Sequence, residues 1–178
     1  MQRLLVMTVI GADRPGLVDS VAGVVAGHGG NWLESRMSRL GGHFAGILRV
    51  EVPVESEHSL VSALNGLKDL GLTIVVHPDE GNPTAPHERF ASLEIVGHDR
   101  PGIVRQISHT LAAEGVNVEE LHTECSSAAM SGETLFKARA KLGIPDSCEV
   151  LEIRRKLEKI AGDLIVDISF AELPSSGS

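Results

Sequence analysis

The sequence predicts an α+β protein made of two tandem copies of a β-α-β-β-α-β unit, each an antiparallel four-stranded sheet with two helices on one face. Three observations predict it. The chain repeats a motif at an offset of 86 positions; apolar residues follow period two and then period 3.6 in the same order in both copies; and a proline- and glycine-bearing stretch separates the copies.

The repeat is explicit. The segment GADRPGLVDSVAGVVAGHGGNW, starting at Gly11, aligns without a gap on GHDRPGIVRQISHTLAAEGVNV, starting at Gly97. Gly11, Asp13, Arg14, Pro15, Gly16, Val18, Ala26, Gly29 and Asn31 recur as Gly97, Asp99, Arg100, Pro101, Gly102, Val104, Ala112, Gly115 and Asn117. Upstream of each motif is an apolar, β-rich run, Leu4 to Ile10 and Phe90 to Val96, which reads as a strand. The first of these follows Arg3 and looks like the start of a signal peptide, but it is too short and has an internal copy.

After the motif, Leu17, Val18, Val21, Val24 and Val25 share one helical face, as do Ile103, Val104, Ile107 and Leu111. Gly29 and Gly115 are placed to end these helices as left-handed caps. Two strands follow in each copy, near Asn31 to Leu40 and His43 to Val52, then Asn117 to Cys125 and Thr134 to Leu142. Gly41-Gly42 predicts a two-residue hairpin. Leu48, Val50 and Val52 alternate with Arg49 and Glu51, and Ala138, Ala140 and Leu142 with Lys137, Arg139 and Lys141, so one sheet face is expected to be buried and the other polar.

A second helix carries Leu60, Leu64, Leu67 and Leu70 in the first copy and Val150, Ile153, Leu157 and Ile160 in the second, each ending in a short glycine-marked turn. The fourth strands are Thr73 to His77 and Leu164 to Phe170. This order is the ferredoxin-like split β-α-β arrangement. The predicted boundaries are 1–78 for the first domain, 79–88 for a linker, 89–173 for the second domain and 174–178 for a flexible tail.

Composition narrows the function. A formal charge of −8 argues against a phosphate-binding face, and 3% aromatics with no Tyr remove stacking platforms, so direct nucleic-acid binding is not expected. No stretch approaches the roughly 18 apolar residues of a membrane span. Cys125 and Cys148 form no C-x-x-C or zinc-type spacing, which fits free thiols in a cytoplasmic protein. Units of about 80 residues bury only some 60–65% of their unfolded surface, so packing against each other or against a second chain is expected, and with it a homodimer.

The chemistry concentrates in D-R-P-G, where the first strand of each copy becomes the first helix. Pro15 and Pro101 suit a first helical turn, having a fixed φ and no N–H to leave unpaired. Gly16 and Gly102 expose backbone, and the N–H groups that follow attract an anion such as a carboxylate. Asp13 and Asn31 are 18 positions apart, as are Asp99 and Asn117. If one helix returns the chain to the same end of the sheet, carboxylate and amide converge on an ammonium group. The alternative is that Asp is a turn residue or N-cap, Arg14 a solvated charge and Asn31 a post-helix turn residue.

With these residues in view, the sequence resembles tandem ACT-domain proteins, transcriptional repressors of glycine metabolism among them. The match is closest in GADRPGLV and in NWLESRMSRLGGHFAGILRV from Asn31 to Val50, and it covers nearly the whole chain. The resemblance implies a small effector, usually an amino acid, with glycine the candidate here, bound at interfaces between ACT units. On this sequence the implied ligand residues are Asp13, Gly16, Leu17 and Asn31, with Asp99, Gly102, Ile103 and Asn117. Many amino-acid-binding relatives carry Asn at the positions of Asp13 and Asp99; a carboxylate there favours an ammonium and repels a carboxylate. The resemblance further implies a protein partner such as a DNA-binding activator, no cofactor and no catalysis.

Other readings remain open at this point. One is a ligand-independent interaction scaffold, and another the regulatory portion of an enzyme such as a formyltetrahydrofolate deformylase. His122, Glu124 and Cys125 lie close in sequence, but a strand sends Cys125 to the face opposite the other two, so no metal site is expected. His98 reads as an exposed loop residue, Cys125 as a small strand residue and Trp32 as a packing residue. The second hairpin loop, Ser126 to Glu133, reads as a tolerated surface insertion or a partner contact. The copies differ at Ala12/His98, Trp32/Val118 and this loop, so two sites of unequal affinity, or one working site and one structural relic, are expected.

Overall fold

A computed structural model describes residues 1–81, 89–127 and 133–174. Most of the predicted linker, the middle of the second hairpin loop and nearly all of the tail lie outside the described residues. The chain divides into two compact units, Met1–Thr84 and Ala85–Ser178.

The first unit runs β1 (Gln2–Ala12), α1 (Leu17–Gly27), β2 (Asn31–Leu40), β3 (His43–Pro53), α2 (Glu57–Gly66) and β4 (Leu72–Pro78), with a 3₁₀ turn over Leu67–Leu70. Its strands are ordered β2-β3-β1-β4 and every pairing is antiparallel. The second unit runs β5 (Arg89–His98), α3 (Ile103–Ala113), β6 (Asn117–Ser127), β7 (Thr134–Ile144), α4 (Val150–Leu164) and β8 (Val166–Leu173), with the matching order β6-β7-β5-β8. The predicted fold class is therefore the observed one.

Period-two burial explains each sheet. Leu5, Met7 and Val9 of β1 point inward beside Leu48, Val50 and Val52 of β3, and they meet Leu17, Val21 and Val25 of α1 and Leu60 and Leu64 of α2. The second core repeats the plan with Ala91, Leu93 and Ile95 against Ile103, Ile107, Leu111, Ile153 and Leu157. Each large side chain so buried contributes about 1.5–3 kcal/mol. Val18 and Val104, read from sequence as core-facing, instead lie at the margin, 46% and 44% exposed. The outer face of the second sheet is charged as expected, with Glu94 opposite Arg139. The outer face of the first is not purely polar: Ile10, Ile47 and Val75 are about half exposed on it.

Gly41 and Gly42 have φ 58° and 79° between the paired residues Leu40 and His43, the primed hairpin that alternation and Gly-Gly predict. Gly29 and Gly115, each with φ 70°, follow the helices as predicted. Two local features differ. The turn before β8 is not at Gly162, which lies inside α4; Ile165 makes it, with φ 55° and ψ 52°, where the first unit has Gly71. Leu164, expected to open the strand, is the last helical residue. A β-bulge also interrupts both edge strands, between Trp32 and Glu34 and between Val118 and Glu120.

Candidate functional site

The D-R-P-G turns are where the motif places them, but Pro is not the first helical residue. Gly16 is the N-cap of α1 with φ 89° and ψ 1°, and Gly102 that of α3 with φ 93° and ψ 0°. Those angles are the third position of a type II turn, for which Pro is favoured one place earlier. Pro and Gly thus turn the chain off the strand, and the helix starts one residue later, at Leu17 and Ile103. The first intrahelical bonds are Ser20 N–H to Gly16 O at 2.9 Å and Gln106 N–H to Gly102 O at 3.0 Å. The N–H groups before them point out of the helix end, and Gly16 and Gly102, both exposed, leave the approach open.

The two turns are held differently. Asp13 donates its N–H to Gly42 O at 2.9 Å, and its carboxylate pairs with Arg39 Nε at 2.7 Å. Arg14 donates from Nη2 to Leu70 O at 2.6 Å, tying the turn to the end of the 3₁₀ segment. Asp99 N–H bonds Thr134 O at 3.0 Å, and the flanking His98 lies 3.5 Å from Glu133. Cys125, opposite Phe136, takes the register position that Arg39 takes opposite Phe44, so the second copy lacks the cation that pairs with Asp13. The first turn of α1 carries Asp19, whereas that of α3 carries no acid.

Asp13 and Asn31 do not converge within a unit, contrary to the sequence reading. Asn31 pairs with Glu51, which pairs with Leu4 near the start of β1, whereas Asp13 follows the far end of β1. Nine residues of strand separate those levels, about 30 Å at 3.3 Å per residue. In a split β-α-β connection α1 runs antiparallel to β1, so it returns the chain to the starting end of the sheet. Asp99 and Asn117 are separated in the same way, and Asn117 donates to Glu119 at 2.7 Å. Gly16, Leu17, Gly102 and Ile103 do cluster with their respective Asp turns, with Leu17 and Ile103 buried and their backbones forming the helix starts.

Asp79 is a residue whose role sequence reasoning missed by assigning it to the linker. Its N–H donates to Leu4 O at 2.9 Å, and its carboxylate accepts from Gly81 N–H at 3.0 Å and from Arg49 Nε at 2.6 Å. The Gly81 N–H and then the Arg49 guanidinium hold its carboxyl below the usual range. The outer sheet faces carry shallow cavities: about 190 Å³ near Val6, Ile47 and Arg49, and about 410 Å³ near His122, Glu124, Lys137 and Arg139. Among the described residues no three His, Cys, Asp or Glu side chains are grouped to hold a metal, and no helix is long and apolar enough to cross a membrane.

Residues 3–77 match the ACT domain family model, and the second unit repeats the strand order of the first. Over 165 residues the chain is 24% identical to the glycine cleavage system transcriptional repressor of Escherichia coli (strain K12), covering 92% of this chain and 86% of that protein. The crystal structure of an unknown protein from Galdieria sulphuraria is similar throughout, with a TM-score of 0.83, 29% identity, and 98% of this chain and 100% of that one covered. A solved structure assigned provisionally as a glycine cleavage system transcriptional repressor shares the fold, with a TM-score of 0.73, 17% identity, and 97% and 98% coverage.

Proposed function

We propose that this protein is a non-catalytic cytoplasmic regulator that senses a small amino acid, glycine in the first instance. It passes that signal by contact with a protein partner, such as a DNA-binding activator, in transcriptional control of glycine metabolism. The observation that carries this reading is the duplicated D-R-P-G turn, each copy presenting an exposed helix N-terminus beside a carboxylate. The N–H groups offer a seat for an α-carboxylate and Asp13 or Asp99 one for an ammonium. The likeness to the Escherichia coli repressor along most of both chains supports the regulatory role. Asn31 lies at the far end of the sheet from Asp13, so the proposed site rests on the turn and the helix start, and the assembly proposed for the protein is a homodimer.

Thermal unfolding of the full chain against the twenty amino acids tests the sensing step. A ligand at 100 times its dissociation constant adds about 2.7 kcal/mol, on the order of 10 °C in a unit of this size. Glycine is expected to shift the midpoint, and no shift with any amino acid overturns the reading. The scaffold reading draws on the Asp13–Arg39 pair, which occupies the first carboxylate. Combined Asp13→Ala and Asp99→Ala changes separate the two: a scaffold keeps its partner complex, whereas a sensor loses its amino-acid response.

A further inference from the structure

The outer faces of the two sheets have diverged although the folds have not. Strand register matches Ile47, Thr8 and Val75, one row across β3, β1 and β4, with Arg139, Glu94 and Ser169 across β7, β5 and β8. The next row, Ala45, Ile10 and Thr73, matches Lys137, Val96 and Asp167. Two uncharged rows in the first unit therefore stand where the second carries Arg139, Glu94, Lys137 and Asp167. Ile10, Ile47 and Val75 are 49%, 55% and 46% exposed. β-branched side chains suit any sheet, but the second unit forms the same sheet with charges at these places, so strand formation does not require them. A contiguous apolar field across three strands gains by being covered.

The cover has to be flat, apolar and free of unpaired charge. A sheet face is best covered by another sheet, about 10 Å away. The outer face of the second unit does not meet that need: Glu94 pairs with Arg139 at 3.3 Å, and burying these groups, Lys137 and Asp167 against aliphatic side chains would desolvate them without new partners. The first face meets it with itself. Arg49, one row beyond Ile47, is paired within the unit to Asp79 at 2.6 Å and Glu34 at 3.8 Å, and Arg36, which ends the Ile47 row on the edge strand, has a partner of its own. A second copy laid on this face thus meets apolar side chains in the middle and compensated charge at the margin.

We propose that the outer face of the first sheet is where two copies of this chain pair, sheet on sheet about a two-fold axis, while the outer face of the second sheet stays in water. The inference rests on the homodimer of the proposed function, not on amino-acid sensing, and it names the surface. A two-fold contact needs a patch complementary to itself, which an uncharged, flat, β-branched field supplies. Four strands about 4.8 Å apart, with about five residues of 3.3 Å each, give a face of roughly 19 Å by 17 Å. Two such faces bury on the order of 1,000 Å² in total, the lower end of the range for specific interfaces, so a dimer that dissociates at micromolar concentration is expected.

Sedimentation velocity of the full chain over a concentration series tests it, with far-UV circular dichroism to check that each variant is folded. Ile47→Arg and Val75→Glu, both at exposed positions, are each expected to weaken the dimer roughly tenfold or more by burying a charge without a partner. Ser169→Glu, at the place in the second unit that matches Val75, is expected to leave it unchanged. An equimolar mixture of Ile47→Arg and Ile47→Glu chains is expected to recover the dimer, which a folding defect in either could not do. A parent chain that stays monomeric at every concentration overturns both this surface and the homodimer. A dimer that survives Ile47→Arg and Val75→Glu overturns the surface alone, as does a mixture of opposite charges that stays monomeric. Variants whose mass is unchanged but whose melting midpoint falls also overturn it, because the face is then covered within its own chain.

Discussion

Replacing Ile165 with glycine should stabilise the second unit. Ile165 caps α4 with φ 55° and ψ 52°, its N–H 3.4 Å from Gly162 O, in the left-handed region that a β-branched residue rarely adopts. The side chain is 63% exposed, so its removal forfeits little burial. A Cβ in this conformation costs roughly 1–2 kcal/mol, and the extra freedom of glycine in the unfolded chain takes back about 0.5–1 kcal/mol. The net gain for Ile165→Gly is then about 0.5–1 kcal/mol, a rise of roughly 2–8 °C in the midpoint of a unit this size. The reciprocal change Gly71→Ile, at φ 78°, should by the same balance cost the first unit about 0.5–1 kcal/mol. Urea unfolding followed by far-UV circular dichroism, with calorimetry for the midpoint, measures both. A loss of stability in Ile165→Gly at unchanged denaturant slope refutes the reasoning, because it would mean that contacts of the isoleucine outweigh its backbone strain.

Two further outcomes follow from the same geometry. Gly11→Ala puts a Cβ 2.7 Å from Gly71 O, and Gly97→Ala puts one 2.9 Å from Val166 Cα. Backbone does not yield cheaply, so each should lose about 1–3 kcal/mol in urea unfolding, whereas Gly23→Ala, in open space on α1, should gain up to about 1 kcal/mol. The carboxyl of Asp79 is held low by Gly81 and Arg49, so what it contributes is fully present above its ordinary value of 3.8 and is lost as pH falls through the lower folded value. The stability difference between the parent chain and Asp79→Asn should therefore be level above about pH 5 and shrink below pH 4; a difference that stays level into acid would contradict the assignment.

Much of the architecture was legible because burial leaves a local imprint. Leu5, Met7 and Val9 alternate, Leu17, Val21 and Val25 recur at helical spacing, and Gly41-Gly42 has few hairpin conformations open to it. The D-R-P-G turns were legible for the same reason, since Pro and Gly restrict or free the backbone at their own positions. Even so, the motif misled at one residue: Pro15 belongs to the turn and Leu17 opens the helix.

The remainder depended on which strand lies beside which. Spacing put Asp13 and Asn31 one helix apart, but α1 runs back along the sheet and β2 starts parallel to β1, so Asn31 lies at the end of the sheet opposite Asp13. The pairing of Asp13 with Arg39 is likewise a consequence of the β2-β3 hairpin folding back beside β1. No local preference marks Ile165 for a left-handed cap; the entry into β8 beside Gly97 demands it. Periodicity and turn chemistry are properties of neighbouring residues, and they were enough for two units of one fold. Register, charge pairing and cavity volume are sums over residues far apart in the chain, and only the packed structure brings those residues together.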